Sequence, residues 1–191
     1  MLLTTWQQDT VEEGLVAMSQ RFGLRLAVVL IAACGVLAPT GVAQAATVDQ
    51  VCAGTWAVTY DPPITNTPTA VNGHLTGFFP ACTNLGAPGA SYSQTFIDTV
   101  SCATLLSSGA ASRTYTWSNP SAAPTTFEYN WTVTVVGGES VITNTGLVTD
   151  GAFAPASAEQ VATLVTPDAL KCAGEGISSL TGPTTLTIFR P

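Results

Sequence analysis

From Thr125 to Asp150 apolar and polar positions alternate. Phe127, Tyr129, Trp131, Val133 and Val135 take every second place, with Glu128, Asn130, Thr132 and Thr134 between them. A β-strand sends successive side chains to opposite faces, so this run has one apolar and one polar face. Gly137-Gly138 suits a tight hairpin turn, and a second Val/Ile/Thr-rich run returns behind it. Two registers compete. A two-residue loop sets Trp131 opposite Asn144 and Tyr129 opposite Gly146. A three-residue loop sets them opposite Thr145 and Leu147 and exchanges the faces of the returning strand. The shorter loop is favoured, because Val133 then meets Ile142 and Phe127 meets Val148. The whole row from Phe127 to Val135 is expected in the core, with Glu128 and Thr132 accessible.

Similar runs recur along the rest of the chain, between Gly-, Pro-, Asn- and Ser-rich breaks. Thr55–Tyr60, Ala70–Phe79, Ser91–Ser101, Ser112–Trp117, Gln160–Val165 and Thr184–Phe189 each read as a strand. Trp56, Tyr115 and Trp117 fall on their inward sides and join Phe127, Tyr129 and Trp131 as the expected aromatic core. Asp61–Thr69, Thr83–Ala90 and Ser118–Pro124 read as loops, and a short helical turn is expected to end near Cys172. About eight strands without a long amphipathic helix predict an all-β domain: a single antiparallel β-sandwich, with a barrel as the competing arrangement.

The N-terminal quarter follows a different pattern. Residues 1–17 carry the acids Asp9, Glu12 and Glu13, which is wrong for the start of an export signal. Met18 opens a better one: Arg21 and Arg25 are its basic part, Leu26–Ala38 its apolar part, and Ala43-Gln44-Ala45 its cleavage pattern. Residues 1–17 are therefore read as an upstream extension, 18–45 as a signal peptide and 46–191 as one secreted domain. Gly35, Pro39 and Gly41 break the apolar run, which makes it a poor membrane span. A competing reading takes Ile31-Ala32-Ala33-Cys34 as a lipobox, with the mature protein lipid-anchored at Cys34.

The formal charge of the chain is −7. After Ala45 its bases are only Arg113, Lys171 and Arg190, so binding to a phosphate backbone is not expected. Cys52, Cys82, Cys102 and Cys172 form an even set in an exported chain and read as two disulfides. They have neither CxxC spacing nor a neighbouring histidine, so no metal site is expected. If the first three strands form a meander, Cys52 and Cys82 come to one end of the sheet and Cys102 to the other. That favours Cys52–Cys82 with Cys102–Cys172 over Cys82–Cys102 with Cys52–Cys172.

Several segments form a recurring pattern: Cys52-Ala-Gly-Thr, Ser101-Cys-Ala-Thr-Leu-Leu-Ser-Ser-Gly109, Arg113-Thr-Tyr-Thr-Trp117 and Gly182-Pro-Thr-Thr-Leu-Thr-Ile188. With Thr134-Val-Val-Gly-Gly138 and Gln160-Val-Ala-Thr-Leu164 they make the domain resemble a group of small secreted actinobacterial proteins of unassigned function. The resemblance implies export and an immunoglobulin-like β-sandwich, and it carries no catalytic residues.

The chemistry on offer is sparse. His74 is the one histidine, it falls on the polar side of its strand, and no G-x-S-x-G elbow accompanies it. The acids stand singly, mostly in turns, which does not suit a paired-carboxylate hydrolase. Gly174–Ser179 lacks the strand context of a dinucleotide fingerprint. Asn130-Trp131-Thr132 is a glycosylation sequon in mid-strand. No enzyme and no cofactor are expected. Two readings remain. One is a structural or binding module for an extracellular macromolecule of unknown identity, acting through Asp61–Thr69 or Thr83–Ala90. The other is a ligand-holding barrel, because Gly54-Thr-Trp56 and Asn72-Gly-His-Leu-Thr-Gly77 look like the opening strands of avidin-type barrels, and Gly-x-Trp is also a lipocalin opening.

Overall fold

The computed structural model describes residues Ala46–Arg190. The extension, the signal segment with its cleavage site, and Cys34 lie outside the described residues. Eight strands follow one another: β1 (Thr47–Ile64), β2 (Thr69–Cys82), β3 (Ala90–Val100), β4 (Gly109–Trp117), β5 (Thr125–Val136), β6 (Glu139–Asp150), β7 (Ala156–Val165) and β8 (Ile177–Arg190). A 3-10 turn, Thr104–Leu106, precedes β4, and a short helix α1, Ala169–Ala173, precedes β8.

The all-β expectation holds, but the two-sheet sandwich does not. Each strand pairs antiparallel with the next, and β8 returns to β1, so one sheet closes into a barrel. An immunoglobulin-like sandwich needs connections that cross between two sheets. Here every connection joins sheet neighbours. The long β1–β8 ladder, Thr47↔Arg190 through Thr59↔Ser179, uses the two strand edges that a sandwich would leave free.

The β5–β6 hairpin has the two-residue loop. Trp131 faces Asn144, Tyr129 faces Gly146, Val133 faces Ile142 and Phe127 faces Val148. Gly137 and Gly138 hold φ angles of 62° and 84°, a left-handed pair that L side chains resist. β1 runs farther than its sequence suggests. It continues through Asp61-Pro62-Pro63 to a buried Ile64, so the predicted loop shrinks to residues 65–68.

The interior fills by laying aromatic rings across glycines of the adjacent strand. Gly77 pairs with both Trp56 and Tyr92, Gly73 with Phe96, and Gly109 with Trp131. A Cβ on Gly77 would stand 2.1 Å from the Tyr92 ring. On a closed surface the rings have no room to stand upright, and a glycine beneath each one supplies the space. On β4 and β5 the outer wall is polar, with Thr114, Thr116, Glu128, Asn130, Thr132 and Thr134 all exposed, while Phe78, Ile97 and Leu147 stand exposed on its other strands.

The cysteine pairs are Cys52–Cys82 and Cys102–Cys172. The first joins two residues already opposite each other in the β1–β2 ladder. The second joins the 3-10 turn region to α1, at the opposite end of the barrel.

Candidate functional site: the barrel interior

The two ends of the barrel differ. At the lower end lie the loops 83–89, 118–124 and 151–155. Gln50 is fully buried there and stitches the first loop across the opening. Its Nε2 donates to the Ala87 carbonyl at 2.9 Å, and its Oε1 accepts from Asn84 N at 2.7 Å and Thr83 Oγ1 at 3.1 Å. Trp117 Nε1 donates to Thr125 Oγ1 at 2.8 Å, and that hydroxyl donates to the Ala152 carbonyl at 2.7 Å. Phe153 sits edge-on to Trp117 at 5.1 Å. Thr83–Ala90, a candidate contact loop in the sequence, is thus the lid of the lower end.

The upper end carries residues 65–68, 101–108, the Gly137-Gly138 turn and 166–176. Cys102 N bonds the Thr65 carbonyl at 2.8 Å, and Asn66 N bonds the Cys172 carbonyl at 3.0 Å. Leu75, Phe96, Val100, Ala111, Trp131, Ile142 and Leu180 take the inward register here and pack on the core, yet all remain partly exposed. Ile64, Val71, Leu164 and Ile177, at the same end, are buried between them. The aromatic row of β5 shows the gradient in one strand. Phe127 and Tyr129 are buried, Trp131 and Val133 are half-buried, and Val135 is exposed. The expectation that the whole row is core therefore fails at Val135, which stands beside the turn and beyond the packed interior. Trp56, Tyr115 and Trp117 are buried.

Between the two halves lies a polar layer that no sequence motif announces. Arg113 is only 6% exposed. Its Nη1 donates to Tyr92 Oη at 2.7 Å and Gln160 Oε1 at 2.6 Å, and its Nη2 donates to Tyr129 Oη. The guanidinium carbon lies 4.6 Å from the Tyr92 ring centroid and 4.3 Å from that of Tyr129. Tyr115 Oη donates to Gln160 Oε1 at 2.7 Å, and Gln160 Nε2 donates to Thr184 Oγ1 at 3.0 Å. No carboxylate joins this layer. Among the described residues the only ion pair is Arg190–Asp49, on the surface. Burial alone pulls the Arg113 guanidinium down; Tyr115, Tyr92 and Tyr129 around it outweigh that and raise it. Burial pushes the Tyr115 and Tyr92 hydroxyls up, against the pull of Arg113. Arg113 shares the inward parity of Tyr115 and Trp117, and that was the available signal for it.

The remaining candidates stand apart. His74 lies on the outer wall, with Nε2 2.9 Å from Ser93 Oγ. No carboxylate stands within ion-pair distance of its ring among the described residues, so the arrangement is not a triad. Two shallow grooves also run over the outer wall, one along Ser112, Glu128, Asn130 and Leu147, the other along Thr59, Asn72, His74 and Ile97. Comparison with family models, with curated proteins and with solved structures finds no match to this chain.

Proposed function

We propose that the domain is a secreted, non-enzymatic barrel that holds one small apolar molecule in its upper half. The observation that carries this reading is the asymmetry of the interior. The lower end is packed and hydrogen-bonded shut, whereas at the upper end Leu75, Phe96, Trp131, Ile142 and Leu180 are half-exposed among the buried Ile64, Val71, Leu164 and Ile177. An eight-stranded barrel has room for its own side chains or for one small ligand, and open apolar walls inside it favour the second use. Two disulfides suit an oxidising compartment outside the cell.

The test is a titration with N-phenyl-1-naphthylamine, an uncharged dye whose fluorescence rises in apolar surroundings. The expected result is saturable binding of one dye per barrel, lost when Ile142→Arg puts a charge into the upper wall. No saturable signal, or a signal that Ile142→Arg leaves intact, contradicts the reading.

A further inference from the structure

The polar layer contains two atoms whose hydrogen-bonding capacity is unused. Arg113 Nε is buried without an acceptor, and Gln94 Oε1 is buried without a donor. Both lie at the one seam where the barrel wall is incomplete. β3 and β4 pair only at Ala90↔Trp117 and Ser91↔Thr116. Above those pairs the ladder stops, and Gln94 Nε2 reaches across to the Ser112 carbonyl at 3.2 Å in its place. Continued past Ser91↔Thr116, the register sets Gln94 opposite Arg113, so the orphan donor and the orphan acceptor face the same part of the interior. Above Arg113 the inward positions of β4 are only Ala111 and Gly109. The Trp131 ring lies over Gly109, which leaves the half-exposed Ala111 as the small residue directly above the guanidinium.

We infer that this position receives the head group of the ligand, and that the head is a carboxylate with a hydroxyl or N–H donor beside it. The inference rests on the ligand-holding reading above and adds the ligand's chemical class. A guanidinium in a low-dielectric interior without a counter-charge is costly. A carboxylate oxygen accepting from Nε supplies that charge and satisfies the orphan donor. Gln94 Oε1 then takes its hydrogen bond from the adjacent hydroxyl or N–H, which a plain carboxylate lacks. The apolar body lies upward, along Phe96, Trp131 and Ile142. The ligand class is therefore an apolar 2-hydroxy or N-acyl amino monocarboxylic acid.

The test displaces the bound naphthylamine dye from the wild-type chain at neutral pH with four probes of one chain length: 2-hydroxydecanoate, decanoate, decanol and decylamine. The expected order is 2-hydroxydecanoate, then decanoate, then decanol, with decylamine weakest and at least about tenfold between the first and the alcohol, the scale of one charge-assisted hydrogen bond. Arg113→Gln should bring the acids down to the level of decanol. If that variant does not fold, the wild-type order decides alone. Dye binding with decanol displacing as well as the acids overturns the carboxylate head and leaves the apolar cup standing, with the two orphan atoms bridged by water. Acids preferred but 2-hydroxydecanoate no better than decanoate overturns the role given to Gln94. Absence of dye binding removes both proposals together.

Discussion

The lower and upper halves of this barrel use the same strands to opposite ends. Along β5, Phe127 and Tyr129 are sealed in while Trp131 and Val133, two and four residues beyond Tyr129, meet solvent. Nothing in the local sequence changes at that point; the alternation of apolar and polar residues continues. What changes is the cover. Below, Gln50, Trp117 and Phe153 tie loops across the opening. Above, the loops are held to one another by Cys102–Cys172 and by bonds to Thr65 and Asn66. Along β5 an apolar inward residue is thus core only where the end of the barrel is closed over it.

The largest effects are expected from truncating one ring in each half. Phe127→Ala removes a ring with no exposed surface and is expected to cost about 3–5 kcal/mol. Trp131→Ala removes a half-exposed ring lying over Gly109 and is expected to cost about half as much despite its larger size. Urea unfolding midpoints at constant slope measure both. Equal losses would mean that the upper end is as tightly packed as the lower.

Alkaline pH tests the upper rim itself. Tyr60, edge-on to Phe96 at 6.5 Å, has its hydroxyl pushed by burial up to about 12. The unfolded chain releases that proton near its ordinary value of about 10, so the folded state holds more protons between the two values. The contribution is complete below about pH 10, falls as pH rises through about 12, and amounts to about 3 kcal/mol. Tyr60→Phe should remove this part of the alkaline loss in stability. An unchanged alkaline limb would mean that Tyr60 is solvated and the rim is wider than described.

The smallest expected effect concerns the filling of the interior by rings over glycines. Gly77→Ala drives a methyl group into the Tyr92 ring and through it disturbs the bond from Arg113. The expected cost is about 1–3 kcal/mol, the range for overpacking a core. In the same variant any ligand that depends on Arg113 should weaken. A neutral outcome on both readouts would place slack around Tyr92.

Much of the fold was legible because it rests on local rules. Alternation gave the strands, Gly137-Gly138 the turn, and the contest between Val133–Ile142 and its alternative the register. The meander placed Cys52 beside Cys82 and sent Cys102 to the far end, where Cys172 lies. Closure was not legible. Sandwich and barrel share strand number, spacing and alternation, and differ only in whether β8 finds β1. The polar layer was missed for a related reason. Arg113 and Gln160 sit at inward positions of their strands, but a charged or amide side chain within an apolar alternation reads as a surface residue unless parity is weighed above residue type. Their purpose emerges only when four strands bring Tyr92, Arg113, Tyr129 and Gln160 together.

The most direct test of the account is to record methyl and aromatic NMR shifts while the naphthylamine dye is titrated into the protein. Leu75, Phe96, Trp131, Ile142 and Leu180 should shift with a common saturation curve. Phe79, Trp117, Phe127 and Val148, packed at the sealed end, should stay within a small fraction of those changes. Shifts spread evenly over both sets, or confined to outer-wall residues such as Leu147 and Ile97, would contradict an upper half built to hold a ligand.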